Sequence, residues 1–415
     1  MSSDAPRTTF ALLGLSILAV EALAKRGRDF VCVVPEGFEA ELAAFDIPVI
    51  AWDFHRQSDR SAELAVRLEE MGVTVAVPLY EECVSWAGAL NGYFRKDPRL
   101  FVRYLLFRDK GMMKRRAQMH GLRIGAFEEV DDKAGVVRFF ERIHKAASKL
   151  DDDEAEMVHL KPLAAAGSLG HRVIRTRGDI EAVPDDAFPC LVETHLQGQE
   201  FSCEVFVHAR QVRFLNITEY VHLGHSNFVP ASPLLQDQRA RIQQAVEDLI
   251  EAFDIEYGMI HPEFFITPAG RISFGEVAAR VPGGHIFELI HRAYGFDPYL
   301  GFALCCDPST TEEELEAFFP AWTDHDGHAG SLMVYPRLPR VTAARVPEAL
   351  LADDYYERHE LFQPVNTKVA ERVAFGTHYG TVYLHGEDPD RMREMLLHYE
   401  EVDFYVDEAA EATTT

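Results

Sequence analysis

Between Phe10 and Pro78 short apolar runs alternate with amphipathic ones, and this alternation constrains the fold more than any other feature of the chain. Phe10 to Leu13 reads as a buried strand, Gly14-Leu15-Ser16 as a turn, and Ile17 to Arg26 as a helix closed by Gly27. Phe30 to Val34 is a second strand stopped by Pro35, Ile47 to Ala51 a third, Ala62 to Met71 a helix, and Val73 to Pro78 a fourth strand. Parallel strands need a crossover, usually helical, so strands interleaved with helices predict a parallel sheet covered on its faces. Residues 1–108 are therefore expected to form an α/β domain. Gly14 stands at a strand–helix junction, where a tight turn is the ordinary reading and a phosphate-binding turn the alternative.

The texture changes at Asp109. Lys110 to His120 reads as a basic helix carrying Lys114, Arg115 and Arg116, and Val136 to Leu150 as a second amphipathic helix. The run Asp151-Asp152-Asp153-Glu154 marks an exposed loop. Residues 158–215 are strand-rich, 238–253 a helix, 257–277 a hairpin and 285–294 a helix. Further on, strands are expected at 331–335, 370–376 and 381–384, with a helix near 388–400. The end, from Asp407 to Thr415, is acidic and then Ala/Thr-rich, as in a frayed terminus. These shifts divide the remainder into a small lobe (109–190), a larger lobe (191–405) and a tail (406–415), giving a mixed α/β and α+β class.

A chain of 415 residues is long enough for two or three lobes. Lys plus Arg number 41 against 67 Asp plus Glu, a net charge of −26. Such a surface repels phosphate backbones and anionic lipid, which argues against nucleic-acid and membrane partners. Any site for a polyanion must then carry its own cations. The six cysteines show no CxxC pairing, as expected of free thiols in a reducing compartment. No apolar run approaches the roughly 18 residues of a membrane span, so a cytoplasmic protein is expected.

Three segments carry chemistry. In His159-Leu-Lys161-Pro162-Leu-Ala-Ala-Ala-Gly167-Ser168-Leu-Gly170 a strand delivers a lysine and small residues follow at once. Small residues let backbone N–H groups close around phosphate oxygens while the lysine supplies a point charge. No Gly-Lys-Ser/Thr follows, so this is not a Walker loop. In Leu191-Val-Glu193-Thr-His-Leu196-Gln-Gly-Gln-Glu200 a strand ends at Glu193 and a new one opens at Glu200. Such a connector offers backbone groups to a base edge and a carboxylate to ribose hydroxyls. Third, Glu263 to Glu276 reads as a hairpin with loop residues Pro268 to Arg271, which sets Glu263 opposite Glu276 and Thr267 opposite Ile272. Facing carboxylates repel unless one is protonated or a cation lies between them. Oxygen ligands of this kind suit Mg²⁺. Arg280 follows four residues later, then Gly283, Gly284 and His285.

Lys110, Lys161 with its Gly167-Ser168-Leu169-Gly170 loop, Glu193 to Leu196 with Glu200, and then Glu263, Glu276 and Arg280 occur in the order seen in ATP-grasp enzymes. Over about residues 10–385 the chain resembles their carboxylate–amine ligase branch, which includes bacterial L-amino acid ligases. The resemblance implies an ATP-grasp fold: an N-terminal parallel-sheet domain, a small lid lobe, and a larger lobe, with ATP held between two antiparallel sheets. It implies that Lys110 and Lys161 bind ATP phosphates beneath the loop bearing Gly167, Ser168 and Gly170. It places adenine at Glu193 and Leu196, ribose at Glu200, and one or two Mg²⁺ ions on Glu263 and Glu276. Arg280, with Lys161, would stabilise an acyl phosphate. Many ATP-grasp enzymes carry Asn two residues after the second metal glutamate. Here that position is Ala278, as in several similar carboxylate–amine ligases.

The implied reaction activates a small-molecule carboxylate as an acyl phosphate and couples it to an amine, releasing ADP and phosphate. Its rivals are transfer to a carrier-protein thiol, a carboxylase-type reaction on bicarbonate, and ATP binding without turnover. His222, His225, Ser226, Gly283, Gly284 and His285 lie in segments expected to meet the second substrate, together with the polar loop at Tyr80-Glu81-Glu82. A homodimer through the N-terminal domain is common in the family.

Overall fold

The computed structural model describes residues 8–55, 60–147, 157–164, 167–372, 375 and 378–408. The acidic run 151–154, loop residues 165–166, parts of the expected strand 370–376 and most of the tail lie outside them.

Four strands, β1 (Thr9–Leu13), β2 (Asp29–Pro35), β3 (Val49–Trp52) and β4 (Val73–Pro78), form a wholly parallel sheet in the order β3-β2-β1-β4. Helices α1 (Ile17–Lys25) and α2 (Ser61–Glu70) are the crossovers the alternation predicts. Ser16 caps α1, its hydroxyl accepting the Ala19 N–H at 3.2 Å. Two helices without a strong sequence signal follow, α3 (Val84–Phe94) and α4 (Arg99–Leu105). Asn91 of α3 is buried and hydrogen-bonds both backbone groups of Ala76, tying the helix to β4.

Helix α5 (Lys110–Met119) starts where Asp109 accepts the Met112 N–H at 2.8 Å. A small antiparallel sheet comes next, from β5 (Phe127–Val130), β6 (Val158–Pro162), β7 (Arg172–Ile174) and β8 (Cys190–Thr194) in the order β5-β8-β6-β7. It is backed by α6 (Lys133–Ala147) and α7 (Arg177–Glu181), with a separate core that includes Val136, Phe139, Leu160 and Val192.

The large lobe is built on an eight-stranded antiparallel sheet. Its members are β9 (Gln199–His208), β10 (Gln211–His222), β11 (Ser226–Val229), β12 (Tyr257–Ile266), β13 (Ile272–Ala278), β14 (His328–Met333), β17 (Tyr356–Leu361) and β19 (Gly380–Gly386). Between them lie α8 (Pro233–Gln236), α9 (Arg239–Phe253), α10 (Ile286–Tyr294), α11 (Pro298–Cys306), α12 (Glu312–Phe318) and α13 (Glu348–Leu351). Two short ladders, β15 (Arg340–Val341) with β18 (Thr367–Lys368) and β16 (Ala343–Ala344) with β20 (Tyr405–Val406), and helix α14 (Pro389–Glu400) complete it. Residues 370–372 carry no strand, so the strand expected at 370–376 is not formed there. Helix α5 packs on α9, and Met113 and Ala117 join the core of the large lobe. The parallel sheet is not an isolated unit either. Phe10, Leu12 and Val75 share one core with Phe206, Phe287 and Phe302.

Among the described residues all six cysteines are buried free thiols, and no helix is long and apolar enough to cross a membrane.

Candidate active site

The small sheet and the eight-stranded sheet face each other across a cavity of about 1380 Å³. Lys110, Lys161, Gly167, Ser168, Glu193, Leu196, Glu200, His222, His225, Glu263 and Glu276 all border it. Residues separated by as many as 166 positions in the chain thus meet at one place.

Each cation is delivered by an element end. Lys110 is the first residue of α5, and its N–H donates to the Leu163 carbonyl (3.0 Å) just beyond β6. Lys161 projects from β6 beside β8, where Glu193 receives its Nζ at 2.8 Å. The second oxygen of Glu193 meets Lys114 Nζ at 2.7 Å, one turn along α5 from Lys110. Burial alone would raise the Glu193 pKa, but Lys114 and Lys161 outweigh it and hold the carboxyl down at about 2. Burial likewise opposes charge on Lys161, yet Glu193 and Glu276 push its pKa up. Lys114 belongs to the basic helix but not to the expected site. Its ion pair depends on how α5 docks, which spacing along one helix does not reveal.

The carboxylate pair forms as the hairpin register requires. Glu263 is the ladder partner of Glu276, but not through the turn expected. Ile272 pairs with Ile266 instead of Thr267, and the loop is Thr267 to Arg271, closed by hydrogen bonds at 3.0 and 2.8 Å. The missing residue is recovered by a bulge at Gly275, so that beyond it the partners are those predicted. A Cβ on Gly275 would lie 3.0 Å from the Glu263 carbonyl oxygen.

Glu276 is ion-paired with Lys110, and against the penalty of burial Lys110 and Lys161 hold its carboxyl well below the usual range. Glu200 joins the pair from β9. Burial and then the neighbouring Glu263 push it up to about 8, the signature of carboxylates crowded into one space. The facing carboxylates of Glu263 and Glu276, crowded by Glu200, offer oxygen donors that fit a hard divalent ion.

Behind this face lies a polar network with no local signature in the chain. Glu204 is fully buried and accepts hydrogen bonds from Ser202 (3.0 Å), Asn216 (2.6 Å), Thr218 (2.6 Å) and His261 Nδ1 (2.9 Å). The other nitrogen of His261 faces Glu263 Oε1 at 3.7 Å. Burial disfavours the imidazolium, but Glu204 and Glu263 more than offset this and raise its pKa to about 9. A second feature missed in the sequence is a row of imidazoles. His159 Nδ1 lies 2.8 Å from His171 Nε2, and His159 Nε2 lies 3.0 Å from His195 Nδ1. Burial pushes His159 down to about 3 and His171 to about 4, so both are neutral at pH 7. The usable signal was His159 two residues before Lys161, hence on the same strand face.

The remaining expected residues are dispersed. Gly170 packs over Pro162 instead of bordering the cavity, and Arg280 does not line the cavity either. Arg280 Nε donates to Glu81 at 2.9 Å, and Arg108 meets the same carboxylate at 2.7 Å, so the loop after β4 grips the arginine from the parallel-sheet domain. His222 and His225 stack at 4.6 Å and both approach Glu400, at 2.5 and 3.1 Å. Arg372 donates to His225 Nε2 at 2.6 Å and borders the same cavity. Ser226 is buried beside Glu400 at 3.5 Å. Gly283, Gly284 and His285 lie away from this cavity. His285 contacts Thr381 and Tyr383, each at 2.9 Å, and Gly284 gives its carbonyl to Ser331 at 3.0 Å.

Comparison with known proteins agrees with this geometry. Residues 156–288 match the ATP-grasp domain family, a segment that spans β6 through the glutamate hairpin to Arg280. An L-arginine-specific L-amino acid ligase of Bacillus subtilis is 23% identical over 254 residues, 57% of this chain. The match spans 59% of that relative's length. The fold is that of an L-amino acid ligase from Bacillus licheniformis, with a TM-score of 0.73 over 95% of this chain and 97% of that one, at 15% identity. It is also that of the biotin carboxylase domain dimer of Hydrogenobacter thermophilus 2-oxoglutarate carboxylase, solved with MgADP and bicarbonate. There the TM-score is 0.63 over 95% and 91% of the two chains, at 14% identity. The ATP-grasp fold is thus established for the chain, and the resemblance to the amino acid ligase branch is supported by sequence and by fold.

Proposed function

We propose, from an ATP-grasp fold whose cavity gathers cations on one wall and carboxylates on the other, that this protein is an ADP-forming carboxylate–amine ligase. The observation that carries the reading is that single cavity: Lys110 and Lys161 over the Gly167-Ser168 turn, opposite Glu200, Glu263 and Glu276. The net charge of −26 would repel ATP, so a local cluster of lysines answers the first requirement of a nucleotide site.

In this reading Lys161 and Lys110 bind the phosphates, the small-residue turn closes over them, and the connector at Glu193 to Leu196 receives adenine through its backbone. The Glu193 side chain has another task, since it is taken by Lys114 and Lys161. It fixes Lys161 in place before nucleotide arrives. Glu200 meets the ribose. Glu263 and Glu276 would hold Mg²⁺, which neutralises charge on the transferring phosphoryl group when bound. Lys110, now paired with Glu276, is free to turn to phosphate as that carboxylate takes up a cation. A substrate carboxylate attacks the γ-phosphorus of ATP to give an acyl phosphate and ADP. An amine then attacks the acyl carbon, losing a proton and expelling phosphate. Most of the rate gain comes from alignment and from charge already in place. Arg280, held by Glu81, would stabilise the acyl phosphate. An L-amino acid as one substrate is supported by the amino acid ligase relatives, and a cytoplasmic homodimer belongs to the same proposal.

The test is phosphate release from ATP and Mg²⁺ across pairs of L-amino acids, with mass spectrometry of each positive mixture. A condensed product that needs both members of a pair is expected. Nucleotide binding without phosphate release in any mixture would refute turnover, and phosphate release with bicarbonate alone would turn the assignment to a carboxylase.

A further inference from the structure

A second cavity, of about 1160 Å³, opens at the carboxyl ends of all four parallel strands. Gly14 and Leu15 follow β1, Pro35 and Glu36 end β2, Trp52 and Asp53 end β3, and Tyr80 and Glu82 follow β4. That edge of an open α/β sheet is where small molecules lodge.

Its lining points to one class of ligand. Two large aromatic side chains stand open to solvent, Phe38 at 49% and Tyr80 at 47% exposure, where apolar rings are normally covered. Trp52 and Phe54 form a buried wall behind them, and the Trp52 indole nitrogen has no hydrogen-bond partner. The carboxylates that line the cavity are Glu36, Asp53 and Glu82, beside His55. No lysine or arginine lines it among the described residues, and the Arg60 guanidinium stacks on the Trp52 ring at 4.6 Å, so that ring already serves as a cation platform. Aromatic faces with a carboxylate rim attract ammonium and guanidinium groups. Phosphate is opposed twice. The carboxylates repel it, and the turn that could cradle it is sealed: the Tyr80 ring lies where a Cβ on Gly14 would come within 2.4 Å, and the Tyr80 hydroxyl donates to the Leu15 carbonyl. Ser16 has already taken an N–H at the start of α1.

The cavity lies beside the contact that holds Arg280. Tyr80 and Glu82 flank Glu81, whose carboxylate receives Arg280 at 2.9 Å. We propose that this cavity binds the ammonium or guanidinium end of a cationic substrate, and so selects a basic amine-bearing compound over a phosphorylated or neutral one. Its place in the reaction rests on the ligase reading, whereas cation binding itself does not.

Calorimetry on the full chain tests it with isosteric pairs, L-arginine against L-citrulline and L-lysine against L-norleucine, and with ribose 5-phosphate as an anionic probe. At least one cation is expected to bind about tenfold or more tightly than its neutral isostere. Glu36→Gln with Glu82→Gln should erase that preference, and Phe38→Ala should weaken the cation by itself. Binding of a non-hydrolysable ATP analogue with Mg²⁺ should be the same in all variants. Equal affinity for both members of each pair would overturn the proposal, as would a preference that survives the double substitution or tighter binding of ribose 5-phosphate. Cation selectivity in a protein that fails to bind the ATP analogue would instead remove the ligase reading and leave the cavity assignment intact.

Discussion

The Glu193 carboxylate lies between Lys114 and Lys161, and nearly the whole of it is out of water. Removing one member of such a group strands charge in a low-dielectric interior, so Glu193→Gln is expected to cost about 3–5 kcal/mol of stability. Chemical denaturation reads that directly. The pH dependence follows from the sign of the shift. The folded pKa, about 2, lies below the unfolded value, so this group's contribution is full above the unfolded pKa. It is lost as pH falls from about 4.5 toward 2. Wild type should therefore lose stability over that window more steeply than Glu193→Gln, and equal slopes would refute the assignment. Lys161→Ala should weaken binding of the ATP analogue at least about tenfold in calorimetry, through the loss of a charged phosphate contact. At this scale Lys161 was legible, because a strand followed by Gly and Ala announces its use. Lys114, His171 and His261 were not, since each acquires its partner from another element.

The glutamate hairpin is an element whose outcome was legible for reasons only half correct. The loop was read one residue too short, and the bulge at Gly275 restored the pairing of Glu263 with Glu276. Period-2 alternation fixes which side chains share a face, but a bulge inserts a residue with no compositional mark beyond the glycine. Glu276→Ala is expected to abolish Mg²⁺-dependent phosphate release while the protein keeps its circular dichroism and melting transition. Substantial turnover would refute the metal role. The connector between β8 and β9 makes a separate demand. Gly198 has φ +109°, and a Cβ there would come within 2.3 Å of the Ile266 carbonyl oxygen in β12. Gly198→Ala should therefore displace Leu196 and Glu200, costing about 1–3 kcal/mol and weakening nucleotide binding. A variant as stable and as tightly binding as wild type would refute that constraint.

Across the whole molecule, the parallel-sheet domain and the large lobe share a core, and the loop after β4 crosses that junction to hold Arg280 through Glu81. Glu81→Gln leaves Arg280 present but without its charged partner. Phosphate release is expected to fall about tenfold or more, since alignment carries much of such a rate, while affinity for the ATP analogue stays the same. Initial-rate kinetics beside calorimetry separate the two. A parallel fall in nucleotide affinity would mean that Glu81 acts on the ATP site as a whole.

The sequence by itself determined the parallel sheet of the first domain, the strand carrying Lys161, the partition of charge and the facing glutamates. All of these follow from local periodicity, turn chemistry and spacing, which act over a few residues. Only the tertiary structure decided that α5 would give Lys114 to Glu193, that Glu204 would support His261 behind Glu263, and that Arg280 would be held from the first domain. The same holds for the aromatic and acidic cavity at the strand ends, whose lining comes from four separate strand ends. Docking between elements distant in the chain is set by the shape of buried faces, and that shape has no linear signature.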